Sequence, residues 1–379
     1  MGEGYPDMVA RTRFPLFVVC LLQAALASAQ VSPPDAKSDI VPGAEWQIVN
    51  AESLGFSSSR LEGLRGWVKT DDTSSMMVVV RGRVIFTYGD VSHSSRVFSV
   101  RKSVLGMLYG NYVASGKIDL AKTVKEIGIT DKQPLLPIEE TATLQQLLAS
   151  RSGIYHPTGS MGQADYMPKR GSQDPGHYYV YNNWDFNAAG VAFEKLTGKG
   201  IYEALQTDLA LPLGMQDYHP DQQQKEYLPP SSLGEYSMRL STRDMARLGL
   251  LMLDKGRWNN KQVIPSDWVR ILTTEVTPRR DIHPDNLPDD GIRERWGYGY
   301  LWWVWDSPAG PGEVYSLAFD GAYSAMGTGG NYITVIPAYN MVVVHQVDWD
   351  KKPDAQVFES SYMAMLSMLF NSYCGHSCK

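Results

Sequence analysis

The chain has 379 residues and a formal net charge of −6, with 43% hydrophobic and 20% charged residues. That length can bury a sizeable core in one large domain or two interleaved lobes, and the composition excludes a disordered chain. Mild acidity without any Lys/Arg run gives no footprint for nucleic acid.

Arg11 and Arg13 precede the apolar run "FPLFVVCLLQAALA", and Ala27-Ser28-Ala29 follows as an A-x-A cleavage pattern. This predicts a signal peptide over 1–29, cut before Gln30. The competing reading is a membrane anchor, but the run is short and a polar stretch, "QVSPPDAKSD", follows it. The expected mature protein is exported, periplasmic or secreted, and carries no stable membrane anchor. Residues 30–55 read as a linker.

"SSSRLEGLRGWVKT" (57–70) has a serine cap and apolar residues at Leu61, Leu64, Trp67 and Val68, which is helical spacing. "SMMVVVRGRVIFTYGD" (75–90) is two β-rich runs around Arg81-Gly82, a hairpin. Ser99 then opens a helix that stops at Gly116. From 103 to 295 the pattern is helical and loop-rich. Strands return in "GYGYLWWVW", "EVYSLAFDGAYSAMG", "GNYITVIP" and "MVVVHQVD", and a helix over 354–373 closes the chain. The N-terminal hairpin and C-terminal strands are expected to share one antiparallel sheet covered by the terminal helices. The lobes are then 56–102 with 296–379 (sheet) and 103–295 (helical), with Ser99 at their junction and a cleft between them. Ten Trp and twenty-one Tyr, several in "RWGYGYLWWVWD" (295–306), fill cores or line that cleft. Cys374 and Cys378 suit a tail disulfide in an exported protein better than a metal site, because His376 adds too few ligands.

Ser99-Val100-Arg101-Lys102 places a hydroxyl and an amine on one helical face, since positions i and i+3 are neighbours. A serine needs a base within reach, and a lysine becomes one only if burial lowers its pKa. Alone, the pattern is better read as a helix cap with an exposed lysine. Tyr181-Asn182-Asn183 adds a tyrosine able to shuttle a proton and an amide, Asn183, able to orient the lysine or hold a substrate carbonyl.

With these two motifs in order, the chain resembles the serine β-lactamase and penicillin-binding-protein superfamily in its class C-related branch, which also holds esterases, D-aminopeptidases and 6-aminohexanoate-oligomer hydrolases. "TLQQLLASRSGI", "LALPLGMQDY" and "STRDMARLGLLML" resemble further segments of that branch, so the likeness spans roughly 55 to 370. The implied fold is α+β and β-lactamase/transpeptidase-like: an antiparallel five-stranded sheet flanked by terminal helices, plus an inserted helical lobe. The resemblance implies a Ser99 nucleophile, Lys102 and Tyr181 as the proton-transfer pair, and Asn183 as an orienting group. The third box falls on Ala325-Met326-Gly327, or in a shifted register on Gly327-Thr328-Gly329. Its first position holds neither lysine nor histidine, so the family's partner for a substrate carboxylate is missing. The amides of Ser99 and Thr328 would form the oxyanion hole.

No G-x-S-x-G and no H-E-x-x-H is present, and the seven histidines are scattered. The expected enzyme is therefore metal-free and cofactor-free, acting on a small ester, amide or peptide. A true β-lactamase or D,D-peptidase, and a non-catalytic binding member of the fold, are the competing readings. His345 reads as a strand histidine, His156 and His177 as loop residues near the cleft, and Trp184 and Asp185 as structural.

Overall fold

Two runs of β-branched residues, "SMMVVV" and "MVVVHQ", become adjacent central strands, and every residue in both is buried. Continuous apolar runs of this kind suit strands covered on both faces. The computed structural model describes residues 40–159, 167–282, 295–307 and 318–378. The predicted signal peptide and residues 30–39 of the linker lie outside the described residues, as do residues 160–166, 283–294 and 308–317.

One mixed-length antiparallel sheet holds β1 (Ser75–Val80), β2 (Arg83–Gly89), β3 (Trp296–Tyr298), β4 (Trp303–Trp305), β5 (Tyr323–Gly327), β6 (Asn331–Ile336) and β7 (Met341–Gln346). The strand order is β2-β1-β7-β6-β5-β4-β3. The expected sheet of five strands is therefore corrected to seven. "GYGYLWWVW" is two strands, because the chain turns back between them: Gly299 N–H donates to the Trp302 carbonyl at 2.8 Å, and Leu301 sits at φ 63°. In "EVYSLAFDGAYSAMG" the described strand begins only at Tyr323. The β1–β2 hairpin turns at Arg81 and Gly82, both with positive φ, as a two-residue primed turn requires.

Helix α1 (Ser58–Thr70) starts where the Ser57 side chain accepts from the Arg60 amide, and it buries Leu61, Leu64 and Val68. Trp67, expected on the same face, stays 43% exposed. This helix packs with the closing helix α7 (Glu359–Asn371). The described α-helices of five or more residues between them are α2 (Val100–Ala114), α3 (Leu144–Leu148), α4 (Asn183–Thr197), α5 (Thr242–Leu253) and α6 (Ser266–Leu272).

α5 falls within the segment read as the helical lobe, yet it packs on β1, β6 and β7. Its Gly249 permits this: a Cβ there would run into Val342 and lie 2.9 Å from Ile333 Cγ2. Part of the expected linker is also fixed in place. Val49 N–H donates to the Val84 carbonyl, and the Arg247 guanidinium of α5 donates to the carbonyls of Gly43 and Ala44. Cys374 and Cys378 are disulfide-bonded. No helix among the described residues is long and apolar enough to cross a membrane.

Candidate active site

Ser99 stands at the N-cap position of α2, and its side chain makes no capping bond. Phe98, just before it, adopts a left-handed φ of 48°. That conformation costs a non-glycine residue about 1–3 kcal/mol, and such strain gathers at functional sites. The Phe98 ring is held edge-on against Trp349 at 4.5 Å. The first eleven residues of α2 are all buried, so the helix start is fixed by packing on every side.

One turn on, Lys102 is 1% exposed. Its Nζ lies 3.0 Å from Ser99 Oγ, 2.8 Å from Tyr181 OH and 2.6 Å from Asn183 Oδ1. None of these partners is charged. The cap-with-exposed-lysine reading therefore fails on both counts. Burial pushes the Lys102 pKa well below the ordinary lysine value. The neighbouring Arg101 charge pushes it the same way, and Glu235 opposes them. The rings of Tyr181 and Phe186, 4.1 and 4.3 Å from Nζ, favour the cation, but desolvation dominates. A neutral amine keeps two donors and gains an acceptor lone pair. It can bond the Asn183 carbonyl oxygen and accept from a hydroxyl at once.

Tyr181 and Asn183 are delivered by a strap tied to the loop after α3. Ser150, itself at φ 57°, donates its hydroxyl to the Val180 carbonyl at 2.6 Å and accepts from the Asn182 amide at 3.0 Å. The Asn182 side chain donates to the Ile154 carbonyl and caps α4 by accepting from the Trp184 amide. Asp185 accepts from Ser152 Oγ at 2.6 Å. Burial raises its pKa well above that of an ordinary carboxyl, against the Ser152 bonds. Trp184 donates its indole N–H to Asp131. Trp184 and Asp185 are thus structural, as expected. Asn182, Ser150 and Ser152 were not singled out in the sequence. An asparagine directly before a helical run was the available signal.

Ala325, Met326 and Gly327 lie on β5, and Thr328 begins the turn to β6. Gly327 passes against the Ser99 segment. A Cβ on it would strike the Val97 carbonyl oxygen and stand 3.2 Å from the Ser99 amide nitrogen. Ala325 is fully buried, so it offers the cleft neither charge nor surface. Trp303, paired with Ser324 across β4–β5, stacks on the Tyr181 ring at 5.5 Å, with Tyr298 edge-on to the same ring.

Arg151, on the loop after α3 that holds the strap, is already used. Arg151 donates to the carbonyls of Gly176 and His177 and to the Thr277 hydroxyl through its three nitrogens. Arg280 is 82% exposed, next to Asp281. His156, expected near the cleft, is instead buried beside Glu139 and the Trp184 ring. His177 is exposed. Among the described residues no group of three or more His, Cys, Asp or Glu is arranged to hold a metal ion.

The beta-lactamase family profile matches residues 70–360. The chain belongs to the beta-lactamase family. An uncharacterized protein of Alkalihalophilus pseudofirmus is 24% identical over 270 residues, 65% of this chain and 71% of that one. A family VIII carboxylesterase shares the fold with a TM-score of 0.58 at 15% identity, covering 84% of this chain and 99% of the other. A penicillin-binding protein from Bacillus halodurans does so with a TM-score of 0.56 at 16% identity, covering 81% and 99%. The beta-lactamase family fold is therefore that of serine hydrolases, and its α+β architecture agrees with the expectation from sequence.

Proposed function

We propose that this protein is an exported serine hydrolase that cleaves a neutral ester or amide through an acyl-enzyme on Ser99. The observation that carries the reading is Lys102: a buried amine whose three partners, Ser99, Tyr181 and Asn183, are all uncharged.

Ser99 Oγ attacks the substrate carbonyl and its proton passes to the neutral Lys102 amine. The tetrahedral oxyanion is met by the amides of Ser99 and Thr328. Tyr181, hydrogen-bonded to Lys102, delivers a proton to the leaving oxygen or nitrogen as the C–O or C–N bond breaks. Water then attacks the ester on Ser99; the same pair takes a proton from that water and delivers it to Ser99 Oγ as the acyl C–O bond breaks and the acid leaves. Asn183 holds the lysine in line and is placed to meet a substrate carbonyl. Export rests on residues 11–29, whose charge, apolar run and A-x-A pattern support removal of a leader before Gln30.

Ala325 in the box and the fully engaged Arg151 argue against a carboxylate-bearing lactam as the preferred substrate. The intact Ser99–Lys102–Tyr181 arrangement argues against a purely binding role. A fluorophosphonate probe should label the wild type and leave Ser99→Ala unlabelled, with turnover in that variant reduced at least about a thousandfold. Equal labelling of both would remove Ser99 from the mechanism.

A further inference from the structure

His345 is fully buried on β7, opposite Tyr332 of β6. Its Nδ1 is 2.5 Å from the Gly330 carbonyl oxygen, and its Nε2 is 2.8 Å from the Thr73 hydroxyl. A carbonyl only accepts, so Nδ1 carries the hydrogen and Nε2 accepts from Thr73. Burial holds the imidazole pKa down at about 4, which keeps this neutral tautomer at ordinary working pH.

Gly330 closes the turn that carries Thr328. The Gly330 amide donates to the Gly327 carbonyl at 3.2 Å, and that carbonyl shares a peptide plane with the Thr328 amide. The next carbonyls are also fixed: Thr328 accepts from Asn331 Nδ2 at 2.9 Å, and Gly329 from the Val357 amide at 3.0 Å. Gly329 and Gly330 take φ of 84° and 106°, and a Cβ on Gly330 would lie 2.8 Å from the Val357 carbonyl oxygen. These bonds hold the turn at each carbonyl, and the ring of His345 holds the last one.

We propose that His345 is a positioning residue for the oxyanion site: by binding the Gly330 carbonyl it fixes the Gly327–Thr328 peptide and aims the Thr328 amide at the substrate carbonyl oxygen on Ser99. This rests on the reading of Thr328 as an oxyanion donor.

The test compares an oxygen ester with the thionoester of the same acyl group, because donors set for oxygen discriminate against the larger sulfur. His345→Asn keeps a donor near the Nδ1 position and should keep both kcat and the ester-to-thionoester ratio. His345→Leu should lower kcat for the ester on the order of 10- to 100-fold, with KM near the wild-type value. The thionoester should suffer less, so the ratio should collapse with kcat. Fluorophosphonate labelling is run alongside. Labelled Ser99 with an unchanged ratio in His345→Leu overturns this inference alone, whereas an unlabelled wild type overturns the acyl-enzyme reading beneath it. Should His345→Leu not fold, His345→Gln, whose amide takes the place of Nε2 beside Thr73 and leaves the Gly330 carbonyl without its donor, is put through the same assay. A fall in the ratio is expected there, and a wild-type ratio overturns the proposal.

Discussion

At Lys102, burial and the neighbouring Arg101 act together against the charged form, while Glu235 works the other way. Arg101 is itself buried: its guanidinium lies over the Tyr236 ring at 4.4 Å, with Asn187 at 3.2 Å and Glu235 at 3.5 Å. In the proposed mechanism Lys102 acts as the base when deprotonated, so kcat/KM should rise with pH through the Lys102 pKa and then level. Removing the Arg101 charge removes a lowering influence, so Arg101→Gln should move this acid limb to higher pH. Glu235→Gln removes a raising influence and should move it to lower pH. Paired pH–rate profiles check both signs, and a limb that ignores both substitutions belongs to another group. The sequence shows Ser99 and Lys102 because their spacing is local and helical. That burial lowers the lysine's pKa so far is not legible there, since the side chains packed on it include Tyr181 and Phe186, some eighty residues away.

Among the elements, the strap that carries Tyr181 and Asn183 rests on the 134–156 segment, where Glu139 is the central acceptor. Glu139 takes two bonds from Arg170, at 3.0 and 2.5 Å, and one from the Leu136 amide. Burial pushes its pKa up, but the bonds from His156 and Arg170 win and hold it at about 2. A depressed carboxylate contributes stability that is complete above its unfolded pKa and is lost as pH falls through the folded value. The window here runs from about 4.5 down to about 2, and the shift is equivalent to about 3 kcal/mol. Glu139→Gln should therefore lower stability at pH 7 and flatten the acid dependence in that window, as denaturant unfolding at several pH values would read. A variant as stable as the wild type would show that Glu139 anchors nothing. At this scale the sequence reveals α1, α2, the β1–β2 hairpin and β6–β7, all set by local periodicity and turn residues. It hides the break between β3 and β4, which depends on a turn backed by the Leu272 and Thr274 carbonyls near Gly299. It also hides the placement of α5, whose docking on the sheet is decided by shape at Gly249.

For the whole molecule, the sheet and the helices around α2 place Ser99 and Lys102 beside the Trp303–Tyr181 stack and a box without a cation. A charge-assisted bond to a substrate carboxylate contributes about 1.5–3 kcal/mol, roughly ten- to a hundredfold in selectivity. Without it, kcat/KM for a neutral p-nitrophenyl ester should exceed that for nitrocefin by at least about tenfold. The reverse order would restore the β-lactamase reading. The central claim is a covalent intermediate on one hydroxyl, and the most direct measurement of it is intact-protein and peptide mass spectrometry after rapid acid quench with a slowly deacylating ester. The account predicts a single added acyl mass on the peptide containing Ser99, absent in Ser99→Ala. An adduct on any other residue, or none while the wild type turns over under the same conditions, would contradict it.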